Sequence, residues 1–116
     1  MSASADCLFC KIVAGEIPAE IVAETEHTVA FRDINPQAPT HVLVIPRIHE
    51  PNIGALAAAA PEAAAALLVD AQAVATAEGA GDAFRLVFNT GAEVGQSVFH
   101  AHGHVLAGRS FGWPPG

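Results

Sequence analysis

At 116 residues and 11.9 kDa the chain has the size of one compact domain with a core of its own, which argues against two independent units. The 52% hydrophobic share and the mean hydropathy of +0.38 are inflated by 25 alanines, and Glu62, Asp70, Gln72 and Glu78 break the Ala-rich stretch short of the roughly 18 apolar residues a spanning helix needs. Five Lys and Arg against twelve Asp and Glu leave a formal charge of −7, the wrong sign for gripping a nucleic-acid backbone.

Residues 1–10 carry neither a positive region nor an apolar run of the secretory type, so a cytoplasmic protein is expected. The only cysteines, Cys7 and Cys10, form a Cys-x-x-Cys pair. In a reducing compartment such a pair points to metal binding or redox chemistry ahead of a structural disulfide, and alone it does not choose between them. Residues 8–14 are a short apolar patch ended by Gly15, one or two helical turns. Residues 21–23 and 28–32 read as two strands joined by a polar turn, and residues 33–40, with Asn35-Pro36 and Ala38-Pro39, as a loop. The run His41-Val42-Leu43-Val44-Ile45 before Pro46 is continuously apolar after its histidine, the pattern of a strand covered on both faces.

Residues 61–78 predict one long helix, with Pro61 at its first position, Gly79 just past its end, and Leu67, Ala71, Val74 and Glu78 along one stripe. Residues 84–89 alternate with period two and place Phe84, Leu86 and Phe88 on one side of a strand. Residues 90–96 form a glycine-bearing loop, and residues 98–106 a last strand before a Gly/Pro-rich tail. The expected class is α+β, with a largely antiparallel five-stranded sheet, one long helix and a short N-terminal helix.

Chemistry concentrates in His100-Ala101-His102-Gly103-His104, which holds three of the six histidines. On a strand these imidazoles would share one face. Surface histidines alternating by chance are a poor account of such density, and a zinc site built from these three alone would still need a fourth ligand or a water. Upstream, Asn89 and Gly95-Gln96-Ser97 offer an amide, a hydroxyl and glycines that let a backbone approach closely, a way to hold an anion without Lys or Arg.

The run from Gly95-Gln96-Ser97 through His100-Ala101-His102-Gly103-His104-Val105-Leu106 resembles the histidine triad (HIT) superfamily, and Gly108-Arg109 with Gly112-Trp113-Pro114-Pro115-Gly116 resembles its Hint branch. Asp33-Ile34-Asn35-Pro36-Gln37-Ala38-Pro39-Thr40-His41-Val42-Leu43-Val44-Ile45-Pro46 is a second long likeness, so residues 1–116 read as a single HIT domain. The resemblance implies a homodimer with a sheet continued across it and a purine nucleoside monophosphate, or its phosphoramidate, bound beside the triad. It implies hydrolysis of the phosphoramidate P–N bond through a nucleotidyl-histidine intermediate, with His102 as nucleophile and His104 and Ser97 at the phosphate and leaving group. Asn89, Gly95 and Gln96 match other positions around the phosphate, Asp33 the acceptor for the ribose hydroxyls, and Leu8, Phe9, Ile12, Phe31 and Ile34 the apolar walls around the base; each of these apolar residues also fits ordinary core. Gly103 departs from the larger apolar residue usual there, which implies a looser triad strand.

The cysteines resemble those of the zinc-bearing subset, which implies a structural Cys2His2 site of Cys7, Cys10, His49 and His100. Two other functions remain open at this point: a dinucleoside polyphosphate hydrolase, against which the Trp113-Pro114-Pro115 tail weighs, and a nucleotide-binding regulatory module with incidental turnover.

Overall fold

The computed structural model describes residues 6–116. Leu8–Val13 forms helix α1, begun by Cys7, whose Sγ accepts the amide of Cys10 at 3.3 Å. Strands β1 (Ile21–Glu24) and β2 (Thr28–Arg32) make a hairpin, and β3 (Thr40–Pro46) lies beside it. Helices α2 (Ile53–Ala59) and α3 (Pro61–Ala77) follow, then β4 (Arg85–Val87), a 3₁₀ turn (Ala92–Val94) and β5 (Gly103–Ala107). The sheet order is β1-β2-β3-β5-β4, with every neighbouring pair antiparallel. This is the expected α+β architecture.

Alternation along the central strands explains why both sheet faces are covered. Ala30, Val42, Val44 and Val105 face Leu56 of α2 and the stripe Ala63, Leu67, Ala71, Val74 and Ala75 of α3, and Phe84, Leu86 and Phe88 close this core at the edge. Val29, Phe31, Leu43 and Ile45 face the other way, onto Phe9, Cys10 and Ile12 of α1. The long helix is tied to the hairpin at two points. Asp70 accepts the hydroxyls of Thr25 and Thr28, each at 2.7 Å, and Glu78 takes both terminal nitrogens of Arg32 at 2.8 and 3.0 Å.

Three elements differ from the sequence expectation, the first being β4, which spans Arg85–Val87 instead of residues 84–89. Helix α2 is additional, capped by Asn52, whose Oδ1 accepts the amide of Ala55 at 2.9 Å. It stops at Ala60, at φ −147° and ψ 73°, because the residue before a proline is held out of helical conformation, and Pro61 then opens α3. The last strand is shorter than expected, beginning at Gly103 instead of residue 98. Residues 96–101 leave the ladder to bond the loop after β3: the Ala101 amide donates to the Glu50 carbonyl at 2.7 Å, and Gln96 Nε2 to that of Pro51 at 2.7 Å. Only His104 of the three histidines therefore stands on a strand.

Gly103 is buried opposite Val44, and its missing side chain is compensated by Leu86 of β4 and by Phe88 just past that strand. A Cβ there would lie 2.9 Å from Phe88 Cε1 and 3.1 Å from Leu86 Cδ1. Gly103→Leu should accordingly lower the unfolding free energy by about 1–3 kcal/mol in urea titration, through overpacking. Trimming Phe88 to Val in the same chain should recover part of that loss. A Gly103→Leu protein as stable as the parent would contradict this account of the strand.

Candidate functional site

The α1 face of the sheet opens into a cleft of about 420 Å³ between α1, the segment leading into β1, and the ends of β2, β3 and β5. Leu8, Phe9, Ile12, Phe31 and Leu43 supply apolar walls, Asp33, Ser97, His102 and His104 line its polar end, and Ile34 stands fully exposed at the rim. Phe9 meets Phe31 edge-on, with ring centroids 5.5 Å apart, and meets the His102 ring the same way at 5.0 Å.

The protonation pattern of the histidines follows from which partners can only accept and which can only donate. His102 Nδ1 lies 2.7 Å from the His100 carbonyl, so it carries the proton, and Nε2 of the neutral ring keeps its lone pair. His41 Nδ1 accepts the Gln37 amide at 3.0 Å, so its proton sits on Nε2, 2.9 Å from His104 Nδ1 and 3.4 Å from an Asp33 oxygen. With Nδ1 accepting from His41, neutral His104 carries its proton on Nε2. His102 and His104 have ring centroids 5.0 Å apart, so the cleft presents a bare imidazole nitrogen beside an imidazole N–H. His41, which the sequence reading left in a strand without a role, is thus the residue that sets the tautomer of His104.

His100 lies outside this pair. Its Nε2 donates to the Pro46 carbonyl at 2.9 Å, which leaves Nδ1 bare, 3.4 Å from Cys7 Sγ, 3.5 Å from Cys10 Sγ and 3.2 Å from His49 Nδ1. Cys10 Sγ is 3.3 Å from His49 Nδ1, and all four donor atoms fall within 4.8 Å of one another. Tetrahedral zinc with two thiolates and two imidazoles sets neighbouring ligand atoms roughly 3.3–3.8 Å apart, so this donor set fits such an ion in type and spacing. The bond to Pro46 is the outer partner a metal-binding imidazole requires.

A model of the HIT domain matches residues 14–111. The chain belongs to the HIT family. It is 55% identical over 114 residues to an uncharacterised HIT-like protein of Synechocystis, covering 96% of this chain and 97% of the relative. A 14 kDa zinc-binding protein of Zea mays is 47% identical over 111 residues, 94% of this chain and 87% of the relative. A HIT family hydrolase from Legionella pneumophila superposes with a TM-score of 0.91 at 49% identity, covering 96% of this chain and all of that one.

Within this HIT domain the other expected site residues are arranged around a loop. Gly91 and Gly95, at φ +100° and +106°, adopt backbone that suits glycine, and Gly95 passes Asn89, whose Nδ2 would lie 3.9 Å from a Cβ there. The Gln96 side chain is turned inward, its Oε1 accepting the Gly91 amide at 2.8 Å and its Nε2 donating to Pro51 and Val98 carbonyls, so its geometry shapes the loop that carries the exposed Ser97. Among the described residues no helix is long and apolar enough to cross a membrane.

Burial holds the cleft histidines neutral. It drives His104 down to about 4, with His102 and His41 adding repulsion, and it also lowers His102 and His41. An unfolded His104 takes up its proton near pH 6.5, whereas the folded one resists until about 4, so its contribution to stability is present above 6.5 and lost as pH falls through that window. In ¹H–¹⁵N spectra His104 should remain neutral at pH 5.5, and unfolding free energy should decline from pH 6.5 toward 4. A His104 that titrates near 6.5 would contradict this environment.

Proposed function

We propose that this HIT protein is a nucleotide hydrolase that cleaves purine nucleoside phosphoramidates through a nucleotidyl intermediate on His102. The observation that carries the reading is the bare Nε2 of His102, held by the bond from Nδ1 to the His100 carbonyl and facing the cleft beside the His104 N–H. A neutral imidazole with one fixed lone pair is a nucleophile at neutral pH, and two displacements replace one difficult hydrolysis. The base lies between Phe9, Phe31 and Ile34, with Asp33 accepting from the ribose hydroxyls. His102 Nε2 attacks the α-phosphorus while the His104 N–H stabilises a phosphoryl oxygen. The P–N bond breaks, and the amine leaves with a proton relayed from solvent by the Ser97 hydroxyl. Water then attacks phosphorus and frees the ring.

Cys7, Cys10, His49 and His100 would hold a structural zinc ion, which supplies a crosslink between α1, the loop after β3 and the triad segment; the zinc-binding relative and the fit of the donor set support this. A homodimer completes the reading. Among the described residues the β4 edge carries a ladder only on its β5 side, and Arg85 and Arg109 each set a guanidinium over the Phe111 ring, at 5.1 and 4.1 Å, so the tail is anchored just before Trp113, which is 84% exposed. A second copy would cover that indole and extend the sheet.

His102→Ala should reduce turnover of an adenosine 5′-phosphoramidate by more than about a thousandfold and leave AMP affinity within about threefold, since the ring makes the covalent bond while most binding contacts lie elsewhere. Near-normal turnover by that variant would refute the assignment. Light scattering should return about twice the 11.9 kDa chain mass, and a variant truncated after Ser110 should change its ranking of leaving amines; a micromolar monomer with unchanged ranking would remove the dimer from the account.

A further inference from the structure

The cysteine-histidine cluster and the cleft are contiguous in the chain. Cys7 and Cys10 bracket Leu8 and Phe9, both walls of the cleft, and Phe9 lies edge-on to His102 at 5.0 Å and to His100 at 6.0 Å. His100 presents its side chain to the cluster and its carbonyl to His102 Nδ1 at 2.7 Å. The peptide between these two histidines is bonded, through the Ala101 amide, to the carbonyl of Glu50, the residue after His49, at 2.7 Å. Residues 98–102 lie outside the strand ladder, so the orientation of the His100 carbonyl depends on these bonds and on the grip on the His100 ring. Phe31 and His104, by contrast, are placed by the ladders of β2 and β5 with β3, and Asp33, just past β2, by its amide, which donates to the His41 carbonyl at 3.0 Å, all without a bond to the cluster.

We propose that the cluster of Cys7, Cys10, His49 and His100 is a positioning device for the nucleophile as well as a crosslink: with a divalent metal of the zinc type bound, it holds the His100 carbonyl and Phe9 against the His102 ring and thereby sets the rate of attack. The four are positioning residues, since none touches the reacting atoms. Displacements well under 1 Å matter for in-line attack, and groups that orient a ligand from outside the reacting shell commonly change activity 10–100-fold. The proposal rests on the hydrolase reading above for its kinetic part only, because the orientation of the His102 ring is measurable without substrate.

His49 is the ligand to change, being on a loop outside α1 and the sheet. In the full chain His49→Ala opens the cluster and His49→Cys returns a fourth zinc donor. Each protein would be assayed for zinc content, for kcat and KM on an adenosine 5′-phosphoramidate, for AMP affinity, and for the ¹⁵N shifts of the His102 ring. The expected result for His49→Ala is a kcat reduced about tenfold, AMP affinity within about threefold, and broadened or shifted His102 ring signals, with His49→Cys recovering both the rate and the ring pattern. A His49→Ala protein with its zinc lost but parental kcat and His102 shifts would reduce the cluster to scaffolding, as would a parent protein that takes up no zinc. If His49→Ala fails to fold, chelator-stripped parent protein titrated with zinc supplies the comparison: kcat and ring shifts must then follow occupancy, and a rate independent of occupancy overturns the proposal. A zinc-loaded parent that leaves the phosphoramidate intact would refute the hydrolase reading, while the His102 shifts would still decide the coupling.

Discussion

The hydrogen bond from His102 Nδ1 to the His100 carbonyl, at 2.7 Å, is the contact on which the chemistry of the cleft depends. A carbonyl can only accept, so the bond decides which ring nitrogen carries the proton and leaves the other as a lone pair toward the cleft. The chain arranges this over two residues by leaving the sheet. Because residues 98–102 stay out of the ladder, the His100 carbonyl has no strand partner to serve and is available to the side chain two residues on. The irregular segment is held from outside by three carbonyls, that of Pro46 at the end of β3 and those of Glu50 and Pro51 in the loop after it, which receive the His100 ring, the Ala101 amide and the Gln96 side chain. A regular strand here would have paired that carbonyl and freed the ring to turn.

The second histidine pair applies the same logic. The Gln37 amide can only donate, so His41 accepts at Nδ1, donates from Nε2 and leaves His104 with its proton on the cleft side. Apolar walls then do electrostatic work, because burial opposes charging of His102 and His104 and keeps both neutral where a surface imidazole would be partly protonated. The closeness of Asp33, His41 and His104 is accounted for by this chain of hydrogen bonds.

Much of this was legible in the sequence wherever a local rule acts alone. Pro61 and Gly79 bound the long helix, the apolar run after His41 is the central strand, and Phe84, Leu86 and Phe88 do share one face. Helix α2 was hidden because its seven residues are Ala and Gly apart from Ile53 and Leu56, too few bulky positions to show a helical stripe, and its end is set by the effect of Pro61 on Ala60. The strand expected over residues 98–106 failed for a tertiary reason: period-two alternation describes these residues well, but the competing bonds to residues 46–51 lie some fifty positions away. That same departure sends His100 into the cysteine cluster and leaves His102 and His104 as a pair instead of a row of three. His41 was detectable from parity, since it shares its strand face with Leu43, which pairs with His104 across the ladder.

At Gly103 packing makes up for the missing side chain, for the ring of Phe88 occupies the room a larger residue would take. The most direct test of the account is to identify the residue that carries the nucleotide during turnover. Rapid acid- or base-free quenching of the protein with an adenosine 5′-phosphoramidate, followed by peptide mass spectrometry, should find an adenylyl adduct on the peptide containing residues 98–109, localised to His102. An adduct on His104, or steady turnover with no adduct on any histidine, would contradict it.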